Sequence, residues 1–74
     1  MEQLLKLLAN IRPDVDFAAE KELTTGGILD SFDIVAIVSD LNDSYKISIG
    51  VTDLVPENFD SVEAIMELVR RKQQ

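Results

Sequence analysis

The chain has 74 residues and no cysteine, which excludes disulfides, thiolate catalysis and cysteine metal sites. Fourteen acidic and seven basic residues give a formal net charge of −7, which disfavours partners such as nucleic acid and anionic membrane surfaces. A hydrophobic content of 46% predicts one folded domain, residues 1–74. Because no apolar run approaches the roughly 20 residues that span a bilayer, we expect a cytoplasmic monomer without membrane insertion.

The first predicted element is an amphipathic helix over residues 2–11. Pro13 cannot continue a helix and biases Arg12 away from helical geometry, so the helix is expected to end by Arg12. A long connection over residues 13–29 follows, without a clear period. The apolar face of the helix consists of Leu4, Leu5, Leu8 and Ile11. The residues expected to anchor the connection are Val15, Phe17, Leu23, Ile28 and Leu29.

The second predicted helix runs from Ser31 to Tyr45. Gly26 and Gly27 give the preceding backbone conformational freedom, and Asp30 is a favourable N-cap. Ser31 is therefore expected at the first helical position, on the surface and beside the positive end of the helix dipole. The inward face is expected to consist of Ile34, Ile37, Val38, Leu41 and Tyr45.

The last third of the chain predicts an extended loop, a short helix and a final helix. Residues 47–49 are expected to bury two isoleucines, and residues 51–58 to form a short helix or irregular turn with Leu54 inward. The final helix should begin after a cap at Asp60 or Ser61 and reach about Arg71. The inward face of this helix is expected to comprise Val62, Ile65, Met66 and Val69. The predicted fold is all-α: a small four-helix bundle of three main helices and one short helix.

The stretch Gly27-Ile28-Leu29-Asp30-Ser31-Phe32 resembles the attachment site of the acyl carrier proteins, whose hallmark is Asp-Ser-Leu at the head of the second helix. The resemblance covers nearly the whole chain and includes the run from Leu54 to Val62. It implies an acyl-carrier-protein-like, free-standing carrier domain. It further implies that Ser31, flanked by the motif residue Asp30, carries 4′-phosphopantetheine derived from coenzyme A, whose thiol holds a cargo as a thioester.

The same resemblance implies a partner surface on the second helix and the loop before it. Matching positions are Phe32 and Val35 as apolar contacts, and Asp33 and Asp43 as acids that pair with basic docking surfaces. The implied partners are a phosphopantetheinyl transferase, an acyl- or aminoacyl-activating ligase and acyl-transfer enzymes. Fatty-acid carriers commonly have Glu, Met and an acid at three positions of this helix where the present chain has Ala36, Ser39 and Asn42. The helix is therefore less acidic than that of a fatty-acid carrier, which argues against service in the main fatty-acid pathway.

Three carrier subclasses fit the motif to different degrees. Gly27-Ile28-Leu29-Asp30-Ser31 fits the D-alanyl carriers, but their tryptophan motif is absent. Peptidyl carriers usually place the glycines next to the final Asp-Ser or His-Ser pair, whereas two residues intervene here. A specialised acyl carrier of fatty-acid or polyketide biosynthesis is therefore the first hypothesis, and an aminoacyl carrier is the alternative. The sequence does not name the cargo, the pathway or the loading enzyme.

An enzyme and a metal protein are disfavoured as interpretations. The chain has no histidine to activate Ser31 as a nucleophile, and a domain of this size leaves little room for a water-excluding pocket. The pairs Asp40/Asp43 and Asp14/Asp16 do not form a calcium-loop pattern, so no catalytic or metal site is predicted. The alternative from another class is a small acidic helical interaction domain without a prosthetic group.

Overall fold

The computed structural model describes residues 2–74, and within them the protein is all-α and contains no strand. None of these helices is both long and apolar enough to cross a membrane. The first two helices begin and end at the predicted residues, and the last extends two residues beyond the predicted end. The three helices are α1 (Glu2–Ile11), α2 (Ser31–Tyr45) and α3 (Val62–Gln73).

The predicted short helix between α2 and α3 is replaced by two single turns of 3₁₀-helix, Val51–Asp53 and Pro56–Asn58. Pro56 explains the break, because it lacks a backbone N–H and holds Val55 extended at φ −110° and ψ 147°. The prediction that Leu54 points inward is wrong. Leu54 lies between the two turns in a non-helical conformation, and its side chain is 42% exposed.

The hydrophobic core is assembled from all three helices and from the two connections between them. The predicted inward faces of the helices are correct in direction, although Leu7 and Leu68 are also buried. Of the five predicted anchors of the first connection, three are buried and two are partly buried. The buried residues are Leu4, Leu7, Leu8, Phe17, Leu23, Leu29, Ile37, Leu41, Ile47, Ile49, Phe59, Val62, Ile65, Leu68 and Val69.

The end of α2 is a chain reversal built around Asn42. Its backbone carbonyl accepts hydrogen bonds from the N–H groups of Lys46 and Ile47, and its side-chain oxygen accepts from the N–H of Ile49 at 2.9 Å. Lys46 adopts the left-handed conformation at φ 56°, as residues that follow a helix often do. The reversal directs Ile47 and Ile49 into the core, so the prediction of an extended loop with two buried isoleucines is confirmed.

Candidate functional site

Ser31 is the first residue of α2, and a reciprocal capping box fixes its backbone. The Asp30 carboxylate accepts from the N–H of Asp33 at 2.9 Å, and the Asp33 carboxylate accepts from the N–H of Asp30 at 3.1 Å. Asp30 is extended, at φ −100° and ψ −176°, as an N-cap residue must be. The predicted cap is therefore confirmed, and Ser31 itself is exposed.

The start of α2 can receive an anion on the Ser31 side chain. Within residues 2–74, the backbone N–H groups of Ser31 and Phe32 have no hydrogen-bond partner, because they belong to the first turn of the helix. Free N–H groups and the positive end of the helix dipole both favour a phosphate at this position. A phosphodiester on the serine oxygen is therefore compatible with the local backbone.

The backbone that leads to Ser31 makes a tight turn at the two glycines. The N–H of Gly26 donates to the carbonyl of Glu22 at 2.7 Å, and a Cβ on Gly26 would lie only 2.5 Å from that same oxygen. Gly27 has φ 80°, a conformation that other residues rarely adopt. The chain then returns so that the N–H of Leu29 donates to the carbonyl of Leu23 at 2.8 Å. Glycine is thus required at both positions.

Asp60 fastens this turn to the start of α3. One of its carboxylate oxygens accepts from the N–H groups of Thr24 and Thr25, at 3.0 and 2.9 Å, and the other accepts from the Thr25 hydroxyl at 3.2 Å. The cap of α3 is Ser61, whose hydroxyl accepts from the N–H of Ala64 at 3.1 Å. Of the two predicted caps, Ser61 is the correct one, since the Asp60 carboxylate binds the loop instead.

Arg12 joins the end of α1 to the start of α2. Its guanidinium donates to both carboxylate oxygens of Asp14, at 3.0 and 2.9 Å, to the carbonyl of Ile28 at 3.2 Å, and to the carboxylate of Asp33. Asp14, and to a lesser extent Asp33, raises the pKa of Arg12 above its ordinary value, while Arg12 lowers the pKa of Asp14. Arg12 and Asp14 therefore both stay charged across the physiological range.

A cavity of about 330 Å³ opens beside Ser31. Its wall combines residues of the turn, of α2 and of the segment between the two 3₁₀ turns, and most of these side chains are aliphatic. Val35 is 64% exposed and, with the partly exposed Leu54, keeps this wall accessible from solvent. The lining residues are Thr24, Leu29, Asp30, Ser31, Ile34, Val35 and Leu54.

Three of the four predicted partner residues share one exposed face of α2. Phe32 is 85% exposed, Val35 lies one turn further, and Asp43 lies eleven residues beyond Phe32, about 16 Å along the axis and in nearly the same direction. Asp33 is different, because only 14% of its side chain is exposed and its carboxylate binds Arg12. Its role in binding a partner stays a prediction, and its observed contacts are internal.

Neither a hydrogen-bonded base for Ser31 nor a metal-binding group is found among the described residues. No side chain hydrogen-bonds the Ser31 hydroxyl within residues 2–74, and the chain has no histidine that could act as a base. Over the same residues, no three carboxylates converge into a group that could hold a metal ion. What the arrangement offers is an accessible hydroxyl beside an apolar cavity.

Arg12 and Asp60 are not among the site residues predicted from the sequence. Their contacts join segments 21 and 35 residues apart in the chain, so no local pattern reports them. Leu54 is also part of the cavity wall although it was predicted to lie in the core.

Comparison with known proteins leaves the function of the site open. No protein-family model and no curated protein matches the chain. The assignment of a role to Ser31 therefore depends on the geometry and chemistry of its surroundings.

Proposed function

We propose that the protein is an acyl carrier protein that bears 4′-phosphopantetheine on Ser31 and shuttles an acyl thioester between biosynthetic enzymes. The observation that carries this proposal is the combination of an exposed, unactivated serine at a capped helix start with an adjacent apolar cavity. A serine that only occupied the first helical position would not need the cavity. A catalytic serine would need a base.

The residues present fit the prosthetic group. The Ser31 oxygen would form a phosphodiester by attack on the β-phosphorus of coenzyme A, whose phosphoanhydride bond breaks and releases adenosine 3′,5′-bisphosphate. The serine proton would pass to a base of the transferase, since no base of this chain contacts the hydroxyl. The N–H groups of Ser31 and Phe32 would bind the phosphate oxygens. The attached group supplies a terminal thiol for thioester formation.

The arrangement of helices agrees with this proposal. A carrier-like four-helix bundle would use the two 3₁₀ turns between α2 and α3 in place of a short third helix, so that Leu54 faces α2 across the cavity. Ser31 would then stand at the edge of the bundle, where an arm on its oxygen extends into solvent and reaches successive enzymes. Tethering to such an arm gives the cargo a high effective concentration at each active site.

The cavity favours an acyl cargo over an aminoacyl cargo. Four aliphatic side chains line it: Leu29, Ile34, Val35 and Leu54. A hydrocarbon chain resting against them would remove apolar surface from water, at about 25 cal/mol per Å². The ammonium group of an amino acid would find only Asp30 among the charged groups of this wall and would otherwise lose its hydration. The aminoacyl carrier therefore remains the second hypothesis.

The exposed face of α2 fits enzymes with basic docking surfaces. Phe32 and Val35 offer apolar contacts next to Ser31, and Asp43 offers a charge about three turns further along the helix. A net charge of −7 would accelerate encounters with positively charged surfaces and make them sensitive to salt. The phosphopantetheinyl transferase, an activating ligase and acyl-transfer enzymes would share this face.

The test is an intact-mass measurement before and after incubation with coenzyme A and a broad-specificity phosphopantetheinyl transferase. We expect a gain of one phosphopantetheine, lost in Ser31→Ala and retained in Ser39→Ala, which removes another exposed hydroxyl of the same helix. Circular dichroism should show both variants folded. No gain with the folded, initially unmodified wild-type protein would refute the carrier and leave the helical interaction domain as the better account.

A further inference from the structure

We infer that Arg12 is a positioning residue for modification at Ser31, because one guanidinium fixes the backbone on both sides of that serine. This inference rests on the proposed function, since it concerns how Ser31 is presented to the transferase. Arg12 lies outside the motif and outside the partner surface. Its contribution would come from geometry alone.

The contacts of Arg12 bracket the modified residue. The same terminal nitrogen, Nη1, donates to the carbonyl of Ile28, three residues before Ser31, and to the carboxylate of Asp33, two residues after it. The Asp33 oxygen that binds Arg12 also accepts from the N–H of Asp30. Arg12 is thereby connected to the approach to the helix, to its N-cap and to its first turn.

Arg12 is itself held in place from the opposite side. Asp14 binds the Nε and Nη2 atoms of the guanidinium in a bidentate pair, which leaves Nη1 directed at the Ile28 carbonyl and Asp33. A planar fork with several fixed donors can make all of these contacts at once, whereas the single ammonium group of lysine cannot. Only 29% of the Arg12 side chain is exposed, as expected for a group that organises its neighbours.

The approach to Ser31 needs such a restraint. Gly26 and Gly27 precede Ile28, and glycine has the largest conformational freedom of any residue. Without Arg12, the Ile28 carbonyl would lose its side-chain partner, and the Asp33 carboxylate would keep only the N–H of Asp30. The backbone at Ser31 would then sample more conformations, and fewer of them would place the hydroxyl for in-line attack on the phosphorus.

The dipole of α2 does not favour the positive charge of Arg12 near the start of the helix. The start of a helix carries the positive end of the dipole, so an arginine there is unfavourable unless carboxylates neutralise it. Asp14 and Asp33 do so, and the cluster of three charges has a net charge of −1. The two carboxylates compensate the positive charge of Arg12, so the cluster supports the backbone around Ser31 rather than offering a positive docking charge.

The experiment compares Arg12→Gln with Lys21→Gln. Each variant removes one positive charge and one long-range ion pair, but Lys21 joins the loop to Glu63 of α3, at 2.8 Å, and does not touch the residues around Ser31. Rates of phosphopantetheine transfer are measured at a temperature where circular dichroism shows both variants fully folded. We expect kcat to fall about tenfold or more in Arg12→Gln, with KM nearly unchanged, because misplaced reacting groups slow chemistry steeply. Lys21→Gln should react like the wild-type protein.

Amide hydrogen exchange provides a readout that does not depend on modification. Exchange at Leu29 and Asp33 should accelerate in Arg12→Gln and stay unchanged in Lys21→Gln. Arg12→Lys, which keeps the charge, should also show slow transfer and fast exchange, and it replaces Arg12→Gln if that variant fails to fold.

Wild-type kcat and unchanged exchange in a folded Arg12 variant would overturn the inference. Equal losses in the Arg12 and Lys21 variants would also overturn it, because they would indicate a general effect of charge or stability. Absence of transfer to the wild-type protein would refute the proposed function instead. The exchange data would then decide alone whether Arg12 fixes this backbone.

Discussion

The two connections on either side of the Ser31 cavity are held in opposite ways. The first, residues 13–29, contains no regular helix, yet it buries Phe17, Leu23 and Leu29 and is bound by Arg12 and Asp60. The second connection, residues 46–61, buries Ile47, Ile49 and Phe59 near its ends, but its middle, residues 50–58, contains two helical turns and no buried residue. Regular secondary structure is therefore a poor guide to which connection is more firmly fixed.

The middle of the second connection, residues 50–58, is attached mainly by polar contacts. Lys72 pairs with Asp53 at 2.7 Å, Arg71 donates to Asn58 at 3.1 Å, and Asn58 donates to the carbonyl of Asp53 at 2.8 Å. Partly exposed polar contacts of this kind contribute less individually than fully buried side chains, which contribute a few kcal/mol each. The cavity beside Ser31 thus has one wall anchored in the core through Leu29 and another that carries the exposed Leu54.

The largest expected effect separates a leucine of each connection. Leu23→Ala removes a fully buried side chain and should lower the free energy of unfolding by about 2–5 kcal/mol, whereas Leu54→Ala should cost less than about 1 kcal/mol. Urea denaturation of the two variants measures the difference. The slope of the free energy of unfolding against urea concentration is compared with that of the wild type. Equal losses would mean that the two connections are fixed alike and would remove the contrast.

A smaller effect is expected from a matched pair of glycines. Gly27→Ala forces a Cβ into the left-handed region at φ 80° and should destabilise the protein by about 1–2 kcal/mol. Gly50→Ala places its Cβ no closer than 3.9 Å to its nearest neighbour, at φ −104°, and should be neutral or stabilising by up to about 1 kcal/mol. Thermal unfolding followed by circular dichroism compares the two. A Gly50 variant less stable than the Gly27 variant would contradict the requirement for glycine at residue 27.

The smallest effect concerns the acid sensitivity of the second connection. The hydrogen bond from Lys72, and after it the bond from the N–H of Gly50, lowers the pKa of Asp53 below its ordinary value of 3.8. A lowered pKa in the folded state means that Asp53 stabilises the protein above pH 3.8 and loses this contribution as the pH falls through the folded-state value. The stability difference between wild type and Asp53→Asn should therefore shrink towards acid pH.

Lys72→Gln is the matched variant for that titration. It removes the main cause of the shift and leaves Asp53 ionisable, so its pH profile should resemble that of Asp53→Asn. Denaturant unfolding across the acid range measures both profiles. If the wild-type protein stayed more stable than Asp53→Asn by the same free energy down to the lowest pH, Lys72 would not be lowering the pKa of this carboxyl.

The sequence allowed accurate prediction where the signal is local. Pro13 and the Asp30 cap define the end of α1 and the start of α2, and both helices have the expected bounds. The exposure of Ser31 followed from the same cap. The inward prediction for Leu54 failed because Pro56 divides the segment into two turns, so a helical period does not apply across it.

The support around Ser31 could not be predicted in this way. The pair between Arg12 and Asp33 and the bonds between Asp60 and Thr25 depend on how α1, the loop and α3 pack in three dimensions. Many carboxylates in this acidic chain could have accepted those donors, and composition does not distinguish among them. Asp33 illustrates the point, since its place beside the motif suggested an outward charge while its carboxylate is turned toward Arg12.

The reversal after α2 depends on an acceptor that a charged residue could also provide. The side-chain oxygen of Asn42 accepts a hydrogen bond from the N–H of Ile49. An aspartate has the same shape and offers the same acceptor, so a single exchange would add a negative charge to α2 while the turn is retained. Such an exchange would make the surface of α2 more acidic while the contact that closes the reversal is kept.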